Sequence, residues 1–252
     1  MVIVIKVGGS LIYSNNDAEK KSYSAKITKL VDSLFKNKIK CVLVLGCGKV
    51  AHDICNDYSL VDVNAPFERR WKGFIELDKL TCQNSLNLVE NLSKDSLIFV
   101  PIHPLSFALK NKKSKISTSI SWMNVSLIER MLNLGVVPFI HGGSILDENT
   151  LLSGLSSDSL AAHLAVKLKA KSLFLLTDVN GVFDTPQKQN LIKEFSITKT
   201  KAILGGGMDE KIRRVKYSVI KGIPVHILNG NNPSNILQII KKNKQFGTRL
   251  VP

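Results

Sequence analysis

The chain has 252 residues, 44% hydrophobic and 22% charged, which is the make-up of a folded protein with a sizeable core and excludes a disordered polymer. No apolar run approaches the ~18 residues of a membrane-spanning helix, and the opening MVIVIKVGGS reads as a first strand rather than an export signal, so a cytoplasmic protein is expected. The formal net charge is +15, yet the lysines are dispersed with few aromatics between them, which favours a solvated basic surface over a nucleic-acid tract.

Apolar, β-branched runs of strand length recur along the chain at residues 2–7, 41–46, 97–102, 136–142, 172–179 and 224–230. Their near-continuous apolarity predicts strands buried on both faces, hence a mainly parallel sheet covered by helices. Helical spacing occupies residues 25–38, 126–135, 157–170 and 208–222, with Gly135 and Gly222 placed to end helices. ERRWKGF (68–74) reads as the approach to a further helix, residues 108–124 as a hairpin or mobile loop, and 145–155 as a polar hairpin-like stretch. The expected fold class is α/β, a three-layer αβα sandwich with a central mainly parallel sheet. It forms a single domain, with a soft boundary that divides an N-terminal lobe (about 1–150) from a C-terminal lobe (about 151–252). The cysteines Cys41, Cys47, Cys55 and Cys82 show no zinc spacing and no disulfide framework.

Several strands end in glycine-rich turns, where backbone amides can face an anion. Lys6 lies inside the first strand and is followed by Gly8, Gly9 and Ser10; a buried ammonium needs a partner, so it points to the strand end. Gly46, Cys47 and Gly48 follow the second strand and place His52 just beyond the turn. Glycines 205–207 precede a helix whose second turn carries Lys211. Asp158 opens a helix behind two serines, as an N-cap, as a carboxylate that spaces the two lysines, or as both together. Thr177 and Asp178 end the fifth strand before Gly181.

Together these stretches, K-x-G-G-S, the 46–48 loop, S-x-D, T-D-x-x-G and G-G-M-x-x-K in that order, resemble the amino acid kinase superfamily over essentially the whole chain. His52, with residues 68–74, 101–107, 136–142 and 246–250, is similar to the isopentenyl phosphate and fosfomycin kinase branch. The resemblance implies that Lys6 and Lys211 stabilise the transferred phosphoryl group, that Asp158 holds them, and that His52 grips an acceptor phosphate. It implies an acceptor site at Gly46, Cys47, Gly48, His52, Gly142, Gly143 and Ser157. It implies nucleotide contacts at Lys6, Gly8, Gly9, Ser10, Thr177, Asp178, Gly181, Gly206, Gly207, Met208, Lys211 and Asn229. ATP and Mg²⁺ would serve the reaction without a metal site of the protein's own, a small phosphate ester would be the partner, and the assembly would be a homodimer. No nucleic-acid or membrane partner is expected. A phosphate monoester is already anionic and needs no general base, so the demand on such a site is electrostatic.

The chain departs from the branch at Cys47, Val50 and Ala51 in the second loop, at Asn15 where a lysine is usual (Lys20 or Lys21 lie nearby), and at Gly143 where a carboxylate is usual. Besides an isopentenyl phosphate kinase, the readings are a phosphonate or other small-phosphomonoester kinase, a noncatalytic nucleotide-binding regulator and, last, a nucleic-acid binder. His103, His163 and His226 read as structural, His141 as structural or pocket-lining, and Trp122, Met123 and Phe74 as core or apolar pocket.

Overall fold

The apolar runs assemble into one eight-stranded sheet with helices on both faces. The computed structural model describes residues 1–13, 17–62, 64–92, 97–110, 120–148, 152–184, 189–198 and 207–252. Asn15 and Gly206 lie outside these, as do 111–119 and 149–151 within the two hairpin-like stretches.

The first half runs β1 (Val2–Val7), α1 (Gly9–Ile12), α2 (Asp17–Lys36), β2 (Lys40–Leu45), α3 (Gly48–Asp57), α4 (Phe67–Leu92) and β3 (Ile98–Pro101). Next come β4 (Ala108–Lys110), β5 (Ile120–Met123), α5 (Ser126–Asn133), β6 (Val136–His141), β7 (Gly143–Ile145) and β8 (Ser153–Leu155). The rest is α6 (Ser157–Lys167), β9 (Leu173–Thr177), β10 (Glu194–Ser196), α7 (Gly207–Ile220), β11 (Val225–Asn229), α8 (Asn235–Lys242) and β12 (Thr248–Val251).

The sheet order is β10-β12-β11-β9-β1-β2-β6-β3, parallel at every pairing except β11 with β12. Strand β1 is central, with β2 on one side and β9 on the other, so the connections run outward in opposite directions from its carboxyl end. That is the switch point at which open α/β sheets leave a crevice for ligands. Two antiparallel pairs form at the expected stretches: β4–β5 within 108–124, and β7–β8, which starts at Gly143, two residues before the expected 145–155.

Alternate residues of each strand feed two separate cores. Val4, Val42, Val44, Ile140, Leu173 and Ile227 face α5, α6 and α7, whereas Ile3, Ile5, Leu43, Leu45, Phe139 and Phe174 face α2 and α8. Helix α6 is buried from Asp158 through Ala165, and its alanines let it lie close beneath β1. A smaller core of Ala51, Leu60, Phe74, Leu77 and Leu152 joins α3 to α4.

One expectation needs correction: ERRWKGF does not precede a helix but forms the first two turns of α4. The Arg70 amide already donates to the Pro66 carbonyl at 3.1 Å, so the first helical bond closes just after the proline and α4 opens at Phe67, with Glu68 in its first turn. Phe67, Trp71 and Phe74 stack along that face; Phe74 and Met123 are buried while Trp122 is exposed.

At the carboxyl edge, backbone approaches backbone. A Cβ on Gly9 would stand 2.3 Å from the Gly48 nitrogen, and one on Gly46 would stand 2.6 Å from the Gly9 nitrogen. Gly9→Ala is therefore expected to lower unfolding free energy by about 1–3 kcal/mol in urea titration. Gly207→Ala, which meets open space, should stay within about 0.5 kcal/mol of wild type.

Candidate active site

Five parallel strands deliver their ends to one edge in register. The Gly8 amide donates to Leu176 O (2.9 Å), Gly46 to Val7 O (2.9 Å), Gly142 to Leu45 O (3.1 Å) and Gly230 to Thr177 O (2.7 Å), so each ladder runs one residue into its glycine turn. The turns after β1, β2, β6, β9 and β11 are thereby held side by side.

Asp158 sits at the centre of this edge. Its carboxylate is 3.0 Å from Lys6 Nζ and accepts from Lys211 Nζ at 3.4 Å on both oxygens. Lys6 comes from β1, Asp158 from the first turn of α6 and Lys211 from the second turn of α7, so residues 205 positions apart in sequence share one anion. The residue that caps α6 is Ser156, not Asp158, which corrects the capping alternative. Ser156 makes no side-chain cap; its hydroxyl accepts from Arg214 Nη1 at 2.9 Å instead. Arg214 lies one turn beyond Lys211 and adds a third cation near the carboxylate, a residue that sequence reading passed over.

The electrostatics follow from burial. Burial alone would raise the Asp158 pKa, but Lys6, Lys211 and Arg214 overcome it and hold the carboxyl well below the usual carboxylate range. Burial lowers the Lys6 pKa; Asp158 opposes this and Lys211 adds to it. Two ammonium groups against one carboxylate leave this trio with net charge +1. A further anion would complete it.

On one flank lie Thr177, Asp178, Gly181 and Asn229. The Thr177 hydroxyl donates to Asp178 (3.0 Å), and Asn229 Nδ2 donates to Asn180 Oδ1 (2.8 Å) between the ends of β9 and β11. Ser10 is exposed on α1, Gly207 is exposed at the start of α7, and Met208 packs its side chain on the core.

On the other flank, Cys47 is half-buried and donates its thiol to the Gly142 carbonyl, and burial pushes its pKa up to about 12. It acts as a small filler between two loops, not as an exposed nucleophile. Gly142 abuts α6: a Cβ there would stand 2.7 Å from the Ser157 nitrogen. His52 is exposed on α3, one turn past Gly48, and is not a core histidine. His163 and His226 are packing groups; each stacks on an aromatic ring, Tyr217 and Phe174 respectively.

Behind Gly142 opens a mostly apolar cavity of about 270 Å³, lined by Ser85, Leu86, Pro101, Ile102, Pro104 and His141 among others. His141 is buried, with Nε2 against the Tyr13 hydroxyl and Nδ1 2.8 Å from Ser85 Oγ. At the rim, ligand atoms of Asp78, Cys82 and His103 lie within 4.8 Å of one another. His103 Nδ1 accepts the Leu105 amide, which leaves the proton on Nε2, 2.8 Å from Asp78 Oδ1. The cluster holds a histidine–aspartate contact beside the Cys82 thiol.

The sequence profile of the Amino acid kinase family matches residues 1–229. The chain belongs to the amino acid kinase family. It is thus a phosphotransferase, and its kinase relatives imply use of ATP. It is 27% identical to the isopentenyl phosphate kinase of Methanocaldococcus jannaschii, covering 95% of each chain. To the isopentenyl phosphate kinase of Methanothermobacter thermautotrophicus it is 25% identical, covering 99% of this chain and 98% of the other. Among solved structures, an isopentenyl phosphate kinase superposes with a TM-score of 0.80 at 24% identity, over 99% of this chain and all of the other.

Gly143, where the family resemblance leads one to expect a carboxylate, has φ +146°, and a Cβ would meet Thr81 Cγ2 at 2.7 Å. The departure is built into the backbone. Gly143→Asp should therefore cost stability, by about 1–3 kcal/mol in urea titration, and should not raise activity. Asp158→Asn should lower stability by about 3–5 kcal/mol near neutral pH, since the buried Lys6 ammonium and the partly buried Lys211 ammonium lose their partner. Because the folded carboxyl titrates below the unfolded value of about 4, the wild-type advantage is fully present above about pH 4 and shrinks as pH falls below it, which paired denaturation curves would read.

Proposed function

We propose that this chain transfers the γ-phosphoryl group of ATP to isopentenyl phosphate, giving isopentenyl diphosphate and ADP. An anionic oxygen of the acceptor phosphate attacks the γ-phosphorus. The bond from that phosphorus to the oxygen bridging toward the β-phosphorus breaks, and ADP leaves with the electron pair. The observation that carries this reading is the pairing of an anion-hungry trio with an apolar cavity at the same edge. Asp158 is occupied by two ammonium groups and is not available to take a proton, so the site suits an acceptor that needs no base. The near-full-length likeness to isopentenyl phosphate kinases of two methanogens supports the same acceptor.

In this reading Lys6 and Lys211 flank the group in transit and offset the repulsion between two phosphates. ATP lies over the C-terminal half, along Gly8, Gly9, Thr177, Asp178, Gly181, Gly207 and Asn229. The acceptor lies over the N-terminal half, its phosphate toward His52, Gly46–Gly48 and Gly142, and its hydrocarbon tail in the cavity behind His141. At 270 Å³ that cavity is near the small end of ligand pockets, in keeping with a short branched tail. Mg²⁺ demands an octahedral set of oxygens, which a carboxylate held by two lysines does not offer, so the metal arrives with the nucleotide as MgATP.

Purified protein given MgATP and isopentenyl phosphate should release ADP and form the diphosphate in equal amounts. Lys211→Met should lower kcat by about 10²-fold or more while ATP still binds, and His52→Ala should raise the acceptor KM by about tenfold. Turnover of a phosphonate in place of isopentenyl phosphate would reassign the acceptor. ATP binding without turnover of any phosphomonoester would make the chain a nucleotide-binding regulator.

A further inference from the structure

His141 ends β6 at the wall between the cavity and the glycine loops, and one direction of its hydrogen bonds satisfies every partner. Ser85 Oγ donates its single proton to the Thr81 carbonyl at 2.9 Å, leaving only lone pairs for His141 Nδ1 at 2.8 Å. Nδ1 must then carry the imidazole proton. Nε2 is left as an acceptor, and the Tyr13 hydroxyl against it is the donor. The chain reads Tyr13 O–H to Nε2, Nδ1–H to Ser85, Ser85 O–H to the Thr81 carbonyl. Every member is neutral and satisfied. Burial, with the nearby His103 adding to it, pushes the His141 pKa down to about 3, so the imidazole stays unprotonated at working pH.

The ends of this chain are attached to both flanks of the candidate site. The Tyr13 amide donates to Gly9 O at 2.9 Å, closing the turn that begins with the β1 glycines. Its ring lies under Gly48, whose φ is +79° and whose Cβ would sit 3.3 Å from it. His141 leads directly into Gly142, which accepts from Cys47 and abuts Ser157 beside Asp158. Ser85 belongs to α4, and Thr81 one turn earlier packs on Gly143.

We propose that Tyr13, His141 and Ser85 form a positioning relay that sets the separation between the nucleotide-side loop at Gly8–Gly9 and the acceptor-side edge at Gly142–Gly143. The kinetic consequence rests on the phosphotransfer reading above; the geometry does not. Two phosphates must be held within contact distance and in line, and a misplacement of about 1 Å can cost 10²-fold in rate. A relay that acts through loop spacing changes kcat, while each substrate, held by its own loop, binds much as before.

Tyr13→Phe removes one hydroxyl and keeps the ring against Gly48. It should lower kcat about tenfold or more, leave the KM for ATP within about twofold, and shift the melting temperature by only a few degrees. Ser85→Ala should do the same, and the double variant should be no slower than the worse single one, because both cut one chain. Ser85→Thr, which retains the hydroxyl, should recover most of the rate. An unchanged kcat in Tyr13→Phe, or additive losses in the double variant, would overturn the proposal. Nitrogen-15 NMR of the histidines reads the relay without turnover: wild-type His141 should be protonated at Nδ1 alone, and its Nε2 signal should move in Tyr13→Phe. An Nε2–H tautomer would overturn the relay whichever acceptor is used, whereas a correct tautomer with no turnover of isopentenyl phosphate would count against the acceptor alone.

Discussion

A single buried carboxylate shared by two lysines sets the terms for the rest of the molecule. An ammonium in the middle strand of a sheet is tolerable only with a partner, and Asp158 is that partner for Lys6. Placing the carboxylate there requires the first turn of α6 to lie directly below the end of β1. A helix can come that close where small side chains face the strand, and Ala161, Ala162 and Ala165 of α6 are fully buried. Lys211 then has to arrive from a different helix, which fixes where α7 packs. The trio remains one negative charge short of neutrality, so the same arrangement that makes Lys6 affordable also creates the demand for an anion.

The second constraint is steric. The loops after β1 and β2 meet at distances that no side chain allows, with a Cβ on either Gly9 or Gly46 falling inside 3.0 Å of the other loop's backbone. Such contact brings two sets of amides to one edge without intervening side chains, which is what closely spaced phosphates require. Gly143 extends the logic to β6. Its positive φ and its contact with Thr81 exclude a side chain there, so the edge carries no carboxylate at this position. Less repulsion of an incoming phosphate is the physical consequence.

Strands and their order of burial were legible because apolar runs buried on both faces have no other use in a chain of this composition. Lys6 was legible for the same reason, as a charge where none belongs. The sense in which Asp158 is used was only half legible: Ser-Ser-Asp at a helix start fits a cap as well as an ion pair, and only the packing of α6 under β1 decides between them. The start of α4 was misplaced because the aromatic and basic residues of 68–74 mask a helix that opens just after Pro66. Arg214 was hidden inside a basic pair whose two members both hold Glu210, and only Arg214 also reaches Ser156 at the start of α6. Tyr13 and His141 were out of reach for a different reason. They are 128 residues apart, and nothing in either local stretch predicts that a tyrosine after one glycine turn will meet a histidine before another.

The order of strands explains why chemistry would occur where it does. Ends of β9 and β11, with Thr177 and Asn229, lie on one side of β1; ends of β2 and β6, with Gly46 and Gly142, lie on the other. A nucleotide seated on the first side and an acceptor on the second must meet over β1, the strand that carries Lys6. The group passing between them would cross the position where the sheet's connections diverge, beside Gly8 and Gly9. On that view the lysine is in a strand, not on a loop, because a strand in mid-sheet is the most rigid mount the fold offers. A phosphoryl group exchanged between two anions gains most from a cation that cannot drift.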